Sequence, residues 1–495
     1  MNSPLVSFGR RISLSADSRP GDIALVFCSR DGTERSVTWR ELDLASNRLA
    51  RLFESRGVGA GRMVVIALPN SVDHVVATIA VWKAGGCVLP MPAALPPRER
   101  DPLLALAEPA VVVADWTDVE GVLGSGEIAS GGGFGSEPLE DRIPDPGVAV
   151  GSGGSTGRSK IIVDPNPCAR PLDGFLDEIA PWTGMRASQT QLVSGPLYHN
   201  GPFMLGYYGL LSCQRLVLME KFDAGRALEI LERHRVGFTF VVATSMRRML
   251  QADNFAWCDL SSLESLYHSG APCPQWVKRA WIERLGPKRI HEAYGSAEGS
   301  GGTYIGGDEW LRRPGSVGKP WRSVIRILDP EGQELPAGEV GEIFMGFEER
   351  GKPTYRYIGA PPAKSTLDGL VSVGDMGWVD ADGYLYLADR RVDLILTGGA
   401  NVYPAEVESA LLEHPGVSDA VVVGVVDPDW GQRVHAVVQP REAAALDVAE
   451  LDRYCRERLV PYKVPKSYEL VAEFPRDEAG KIRRSAIAAE RSSHR

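Results

Sequence analysis

The sequence predicts an α/β protein built around a mostly parallel sheet. Short apolar runs rich in β-branched residues alternate with segments of helical length and helical periodicity. The length supports several folded units, because 495 residues at about 100–200 residues per domain allow two to four of them.

Composition and charge exclude several classes of protein. Hydrophobic residues make up 44% and charged residues 24%, which is typical of a globular chain and excludes wholesale disorder or a collagen-like fibre. The formal charge of −10 gives no overall attraction to nucleic acid or anionic lipid, although a local basic pocket for a phosphate is compatible with it. We therefore expect small-molecule partners and no nucleic acid.

The terminus and the cysteines predict a cytoplasmic protein. No apolar run reaches the length of a membrane span, about 18 residues, and the N-terminus lacks the apolar core of a signal peptide. The seven cysteines are odd in number and form no CxxC pair, so we expect neither a disulfide framework nor structural zinc. Buried thiols in a reducing compartment fit this pattern.

The first third of the chain alternates predicted helices and strands. Thr38 and Glu41 have the spacing of a capping box, and apolar residues then recur at helical spacing as far as Phe53. Further segments follow in the same alternation: a strand at 63–68, a helix at 72–84, and strands at 87–90 and 111–115. This order favours a parallel sheet.

Two later segments have a distinct composition. Residues 121–138 are rich in Gly and Ser and predict a surface loop without obvious chemistry. The chain from about residue 390 predicts a separate small domain, with strands at 416–426 and 434–438 and a helix at 448–459. We place the linker in the charged stretch near Asp389, which divides the chain into domains at 1–389 and 390–495.

Residues 151–160, GSGGSTGRSK, have the composition of a phosphate cradle. Glycines allow a tight turn that directs N–H groups at an anion, hydroxyls add donors, and Lys160 adds charge. The segment is not a Walker loop, because its lysine does not directly follow the last glycine. A flexible linker is the alternative, but strand patterns on both sides favour a loop held between strands.

Later motifs contain two candidate nucleotide contacts, Tyr294 and Asp375, and one candidate cation ligand, Glu298. Tyr294, beside Gly295, could offer a flat face to a base, and Glu298 could hold a hard cation, although an exposed Glu is usually only solvated. Asp375 could accept both hydroxyls of a ribose, or be an ordinary turn residue. Lys481 lies in the segment 475–484 and on its own is typical of a surface lysine.

Two glycine-containing segments suggest turns. Residues 382 and 383, Asp-Gly, predict a hairpin turn, and residues 398–408 predict a turn that leads into a helix.

In this order and at these separations, the motifs resemble the adenylate-forming superfamily, which includes acyl-CoA synthetases, non-ribosomal peptide adenylation domains and firefly luciferase. The resemblance covers essentially the whole chain and is greatest to acyl-CoA synthetases, through the segments YHNGP (198–202), GAP (270–272), PGSVGKP (314–320) and DPDWGQRV (427–434). It implies a large N-terminal domain of two α/β subdomains plus a β-barrel-like subdomain, and a small mobile C-terminal α+β domain that caps the active site.

The resemblance also implies a two-step reaction. A carboxylate attacks the α-phosphate of ATP·Mg²⁺ and gives an acyl-adenylate and pyrophosphate, after which a thiol, usually that of coenzyme A, displaces AMP. The small domain rotates between the two steps. Because two anions must meet in the first step, preorganised donors and cations are needed around the phosphates.

The resemblance assigns roles to individual residues. Those implied to hold pyrophosphate and Mg²⁺ are Ser155, Thr156, Gly157 and Lys160, with Thr156 and Glu298 at the metal. Those implied to hold the nucleoside are Gly270, Ala271, Pro272, Tyr294, Gly295, Ser296, Asp375 and Arg390. Lys481 and His199 are implied to act in catalysis. The pantetheine channel is implied to be formed by His199, Gly398 and Gly399, and the hinge by Arg391 and Val392.

This sequence departs from the family pattern at three positions. Ser159 replaces a usual proline, Ala297 replaces a threonine, and Val392 replaces a hinge Asp or Lys. A lost hydrogen bond to a charged group is worth about 1.5–3 kcal/mol. Ala297 therefore predicts slower adenylation unless the hydroxyl of Ser155 or Ser296 compensates.

Several alternatives remain open at this point. The leading hypothesis is an ATP-dependent acid:CoA ligase; a stand-alone enzyme that loads a carrier protein and a nucleotide-binding protein with little catalysis are the others. The apolar segment 203–211, FMLGYYGLL, suggests a hydrophobic acid such as an aryl, fatty or terpenoid acid, but core packing explains it equally well. The chain could be a monomer or a homodimer.

Overall fold

A computed structural model describes residues 4–153, 159–187, 189–349, 355–390, 393–397, 400–441, 446–476 and 482–493. The strands are β1 Leu5–Ser7, β2 Ile23–Cys28, β3 Glu34–Thr38, β4 Met63–Ala67, β5 Cys87–Pro90, β6 Val111–Ala114, β7 Val148–Gly153, β8 Ser159–Asp164, β9 Ala169–Pro171, β10 Thr190–Val193, β11 Arg215–Met219, β12 Phe238–Val241, β13 Ser265–His268, β14 Ile290–Gly295, β15 Gly302–Gly306, β16 Ser316–Pro320, β17 Ser323–Leu328, β18 Gly341–Phe347, β19 Arg356–Ile358, β20 Val371–Val379, β21 Leu385–Arg390, β22 Ile395–Thr397, β23 Ala400–Val402, β24 Val417–Asp427, β25 Gly431–Pro440 and β26 Ser467–Leu470.

The helices are α1 Phe8–Ser18, α2 Trp39–Ser55, α3 Val72–Lys83, α4 Pro97–Ala107, α5 Ser125–Ser130, α6 Ala180–Thr183, α7 Asn200–Leu211, α8 Ala224–Arg233, α9 Ala243–Leu250, α10 Gln275–Leu285, α11 Gly307–Trp310, α12 Pro404–Leu412, α13 Val448–Arg458 and α14 Arg484–Ser493. Short 3₁₀ turns cover Gly131–Gly133 and Pro287–Arg289.

Three large sheets organise the described residues. The largest has the order β17-β18-β20-β21-β16-β15-β14-β13-β12-β10-β11-β2-β3. Its stretch from β14 to β2 is parallel, whereas β15, β16, β17, β18, β20 and β21 pair antiparallel. The second sheet has the order β19-β8-β7-β5-β4-β6, with a parallel core from β7 to β6. The predicted α/β class is thereby confirmed.

Helices fill the space between the two larger sheets. One buried apolar cluster combines residues of β2, β4, β11, α1, α2, α3 and α7. Trp82 lies at its centre, with ring contacts to Phe8, Phe203 and Tyr207, and its indole N–H donates to the Gly147 carbonyl at 3.1 Å. Aromatic residues bury large areas, so this cluster is a major source of stability for the N-terminal part.

The residues after 393 form a separate α+β domain. Its sheet has the order β23-β22-β25-β24, with β26 pairing parallel to β25. Helices α12 and α13 contribute to its apolar core, which includes Val407, Leu411, Leu451 and Cys455. The strands and helix predicted for this region occur within a few residues of the expected positions.

One local prediction is confirmed by the structure, and another is wrong. The capping box at α2 is confirmed, because Thr38 Oγ1 accepts from Glu41 N at 3.2 Å and the Glu41 carboxylate accepts from Thr38 N at 2.8 Å. The interpretation of residues 121–138 as only a loop is wrong, since α5 and a 3₁₀ turn lie within it. Burial of Ile128 against the main core anchors this helix, and such an anchor is not visible in a Gly/Ser-rich composition.

Among the described residues, no helix has the length and apolar character that crossing a membrane requires. All seven cysteines lie in described segments, and all are free thiols.

Candidate active site

The candidate site lies along the carboxyl edge of the parallel strands. His199 follows β10, the 270–272 loop follows β13, and Tyr294 stands near the end of β14. These strands share one parallel stretch of the sheet, β10-β12-β13-β14. Their carboxyl ends therefore meet at one edge, which is where open α/β sheets bind ligands.

A tyrosine and an aspartate meet at this edge although 81 residues separate them. The Tyr294 hydroxyl donates to Asp375 Oδ2 at 2.6 Å. Asp375 lies on β20, where it pairs in register with Arg390 of β21. The fold thus brings together three positions that the motifs singled out separately, and the predicted turn at residues 382 and 383 is the one that joins β20 to β21.

Lys160, Glu298 and Tyr357 form a second cluster. Lys160 Nζ lies 3.3 Å from Glu298 Oε1 and 3.9 Å from the centre of the Tyr357 ring. The Tyr357 hydroxyl donates to the same carboxylate oxygen at 2.6 Å. The lysine and the glutamate are each about one-fifth exposed, so the pair is accessible to a ligand without being fully solvated.

The surroundings keep Glu298 ionised. Burial by itself favours the neutral acid, but hydrogen bonds from Tyr357 and the backbone, together with Lys160, outweigh it and lower the pKa of Glu298. Burial, followed by the bond to Glu298, raises the pKa of Tyr357, which therefore stays a donor. The cluster presents an anion and a cation side by side.

Sequence analysis missed Tyr357. It lies on β19, which pairs antiparallel with β8 so that Tyr357 is opposite Ile162. This pairing joins segments almost two hundred residues apart and carries no local motif that would have revealed it.

A buried polar group supports the strands beneath the site and was also missed. Lys278 of α10 forms an ion pair with Glu292 of β14, and Lys278 Nζ lies 4.8 Å from the Trp310 ring centre. His268 Nδ1 at the end of β13 lies 3.9 Å from Glu292, and burial followed by the charge of Lys278 holds the pKa of His268 well below its usual value. This group ties β13, β14 and α10 together just below the 270–272 and 294–298 segments.

Other predicted positions are exposed at the rim or half-buried. Gly270, Ala271 and Pro272 are exposed between β13 and α10, and Gly270 has the left-handed φ of +85° that favours glycine. Gly295 is exposed at the end of β14. His199 is half-buried at the N-cap of α7, with its ring centre 4.5 Å from that of Tyr198.

Ser296 stands next to the departure at Ala297. Its Oγ is buried and has no hydrogen-bond partner within the described part of the chain, while Ala297 is exposed in the turn that Gly299 N closes on the Ser296 carbonyl at 3.1 Å. A buried hydroxyl without a protein partner costs free energy unless a ligand or water satisfies it. Ser296 is therefore suited to receive a phosphate oxygen.

Several predicted site residues lie outside the described residues: Ser155, Thr156, Gly157, Arg391, Val392, Gly398, Gly399 and Lys481. Their roles stay predictions. The strands on either side of the proposed cradle pair antiparallel, with Gly153 opposite Ser159, so the segment does join two paired strands.

The apolar segment 203–211 packs into the core as most of α7. An added Cβ at Gly206 would meet Val193 at 3.1 Å, and one at Gly209 would meet Gln191 at 1.7 Å. These glycines therefore allow β10 and α7 to approach closely. Core packing, the alternative left open by the sequence, accounts for the segment.

The fold is that of the adenylate-forming ligases of the AMP-binding class. The model of the AMP-binding enzyme family matches residues 12–348, and that of the AMP-binding enzyme C-terminal domain matches residues 406–481. The chain belongs to the AMP-binding enzyme family.

Similar proteins extend over nearly the whole chain. A feruloyl-CoA synthase from an Amycolatopsis species is 30% identical, and the alignment covers 91% of this chain and 93% of the synthase. A fatty acid–[acyl-carrier-protein] ligase from Streptomyces coeruleorubidus is 29% identical, and the alignment covers 92% of this chain and 91% of the ligase. The o-succinylbenzoate CoA synthetase of Bacillus subtilis, solved with its acyl-adenylate intermediate, has a TM-score of 0.82 at 26% identity, with 98% of each chain covered.

Proposed function

We propose that the protein activates a carboxylic acid with ATP to an acyl-adenylate and then transfers the acyl group to coenzyme A, with release of pyrophosphate and AMP. The observation that carries this proposal is a pair of side-chain clusters at the end of β14: Tyr294 contacts Asp375, and Glu298, four residues further along the chain, pairs with Lys160 of the second sheet. The first suits a nucleoside and the second suits its phosphates. The similarity to CoA ligases over the whole chain supports the same reaction.

Each cluster has a chemical task in this proposal. The Asp375 carboxylate accepts the two ribose hydroxyls, with Arg390 close by, and the Tyr294 ring covers one face of the adenine. Gly270, Ala271 and Pro272 form the opposite wall. Lys160 neutralises charge on the phosphates as pyrophosphate departs, which lowers the barrier to the meeting of two anions.

Glu298 also fits a hard cation. Both side-chain hydrogen bonds fall on Oε1, so Oε2 keeps lone pairs for Mg²⁺, which prefers oxygen ligands. Bound there, with Thr156 as a further proposed ligand, Mg²⁺ would neutralise phosphate charge.

The remaining roles are proposed from family resemblance. Lys481 bridges the substrate carboxylate and the α-phosphate, and Ser155, Thr156 and Gly157 hold pyrophosphate. In the second step Gly398 and Gly399 leave space for the pantetheine arm beside His199. We also propose the domain division at 389/390, with Arg391 and Val392 at the hinge.

An apolar cluster beside the site supports a hydrophobic acid. Phe240 and Tyr267 are buried on β12 and β13 and pack against Leu205 of α7, with Val242 and Ala293 partly buried beside them. Ala293 lies on β14, the strand that also carries Tyr294. We propose an aryl or fatty chain as the substrate class on the apolar character of this cluster.

The test is an assay of the full chain with ATP, Mg²⁺, CoA and a panel of aryl, fatty and polycyclic acids. We expect AMP and one or more acyl-CoA thioesters, and we expect Lys481→Ala to lose adenylation. Lys221→Ala, at an exposed lysine, is the matched control and should retain it. Failure of the whole panel to give AMP or thioester would contradict the proposal, and turnover by the wild type would exclude a pure nucleotide-binding role.

A carrier-protein acceptor is the second candidate. The similarity to a ligase whose named acceptor is an acyl carrier protein favours it. The two candidates differ in the second step alone: acyl-adenylate that forms but is discharged by a holo-carrier protein and not by CoA would identify the carrier-loading enzyme.

A further inference from the structure

A second cluster of chemically active side chains lies away from the proposed nucleotide site. Cys28 ends β2, Glu34 begins β3, and His234 follows α8. β2 and β3 pair antiparallel with Cys28 opposite Glu34, which places them at the far edge of the largest sheet. His234 reaches this hairpin from 200 residues further along the chain.

The three ligand-type atoms are close to one another. Cys28 Sγ lies 3.8 Å and His234 Nε2 lies 3.1 Å from Glu34 Oε1, and all three lie within 4.8 Å of one another. Around a tetrahedral zinc ion, bond lengths of about 2.0–2.3 Å put neighbouring ligand atoms about 3.3–3.6 Å apart. The observed separations bracket this range, so small side-chain movements would complete the geometry.

We propose that Cys28, Glu34 and His234 bind a divalent transition metal ion of the zinc class, with water as the fourth ligand. A thiolate, an imidazole and a carboxylate match the ligand preference of Zn²⁺ and of its spectroscopic substitute Co²⁺. Binding releases the Cys28 thiol proton to solvent, because the thiolate is the ligand. The ion would join the β2–β3 hairpin to α8.

Burial and access are both compatible with a metal site. Cys28 is buried, whereas the side chains of Glu34 and His234 are 27% and 12% exposed and offer a route from solvent. Among the described residues no further His, Cys, Asp or Glu joins the group, which leaves one coordination position to water.

Arg233 provides the competing explanation. Its Nη1 lies 2.9 Å from the same Glu34 oxygen, so an ion pair already satisfies this carboxylate. A metal ion would have to share the carboxylate with Arg233. The two explanations predict different results for Arg233→Ala. If a metal ion binds, removal of the competing cation strengthens its binding; if the ion pair is purely structural, the substitution changes stability alone.

The test is titration of the chelator-treated full chain with Co²⁺, followed by displacement with Zn²⁺. We expect one Co²⁺ per chain with a thiolate-to-cobalt charge-transfer band, which Zn²⁺ abolishes. Cys28→Ser should lose the band, and His234→Ala should weaken Co²⁺ binding by more than about tenfold. Cys213→Ser, at a half-buried free thiol outside the cluster, is the matched control and should behave as the wild type.

Thermal unfolding provides a second readout in case a variant is destabilised. Zn²⁺ should raise the Tm of the wild type and of Cys213→Ser, but not that of Cys28→Ser. Absence of a stoichiometric band in the wild type would overturn the proposal. So would a band that persists in Cys28→Ser.

Discussion

At the scale of single residues, Tyr357 contacts both charged groups of the Lys160–Glu298 pair. Its hydroxyl holds Glu298, and its ring lies beside the Lys160 ammonium group. A cation over an aromatic face is attracted by the ring quadrupole. Under the proposed function, Tyr357 is therefore a positioning residue that holds Glu298 beside Lys160.

Tyr357→Phe should impair adenylation while leaving the fold intact. The variant keeps the ring but loses the hydrogen bond to an ionised group, which is worth about 1.5–3 kcal/mol. We expect kcat/KM for ATP, measured by pyrophosphate exchange, to fall by at least about tenfold. Tyr384→Phe is the control, since it removes a tyrosine–carboxylate bond to Glu309, away from this cluster; an equal loss in both variants would argue against the assigned role.

The lowered pKa of Glu298 predicts a pH dependence of stability. A carboxyl group whose pKa is lower in the folded state contributes stability above its ordinary pKa and loses it as pH falls through the folded value. The stability advantage of the wild type over Glu298→Gln should therefore be constant near neutrality and shrink in acid. Urea unfolding at a series of pH values measures it; an advantage that grows on acidification would contradict the assignment.

At the scale of elements, helix α7 and strand β10 lie close together in the apolar core. Gln191 of β10 is buried, and its amide nitrogen donates to the Leu205 carbonyl at 3.0 Å while its amide oxygen lies beside Gly209. Helix propensity alone would favour alanine over glycine by about 1 kcal/mol. We expect packing to reverse this preference, because an added Cβ at residue 209 would overlap the buried Gln191 amide in its present rotamer.

Gly209→Ala should consequently destabilise the protein. An overpacked core typically costs about 1–3 kcal/mol, which exceeds the gain in helix propensity. Gly225→Ala on α8 is the matched control, since the nearest atom to an added Cβ there is 3.7 Å away. Chemical denaturation of both variants tests this, and a stabilised Gly209→Ala would show that α7 and β10 are packed less closely.

At the scale of the whole molecule, a buried carboxylate joins the C-terminal domain to the large sheet. Arg247 of α9 donates to Asp419 Oδ1 at 2.9 Å and to the Ser418 carbonyl at 2.8 Å, and Arg476 pairs with the same Asp419. Arg247 and Asp419 are both buried, so the charges are shielded from water. A second contact joins Arg483 to Glu99 at 2.9 Å nearer the surface.

Arg247→Ala should loosen this contact between the domains. Loss of one partner from a buried ion pair costs about 3–5 kcal/mol, and here Arg476 remains, so we expect a smaller loss. Amide hydrogen exchange in α9 and at the start of β24 should accelerate. Arg248→Ala, an exposed neighbour on the same helix, should leave exchange unchanged; unchanged exchange in Arg247→Ala as well would show that other contacts hold the domains.

Sequence patterns predicted well the helices and strands that depend on interactions between near neighbours in the chain. The Thr38–Glu41 capping box and the β-branched run of β4 depend on neighbours within a few residues, and both formed as expected. The motifs also singled out Tyr294 and Asp375, although their direct hydrogen bond required the antiparallel extension of the sheet. Ile128 shows the limit, because its burial against the main core anchors a helix in a segment whose composition indicates a loop.

The sequence by itself determined the class of this protein, since its motifs resemble those of the adenylate-forming superfamily and two family models match the chain. Tertiary structure alone decided that Tyr357 joins Glu298, that Gln191 fills the space beside Gly209, and that Cys28, Glu34 and His234 meet. The physical reason is the range of the interactions. Helix caps and strand periodicity act between near neighbours, whereas a ligand set or an ion pair depends on which strands the sheet places side by side.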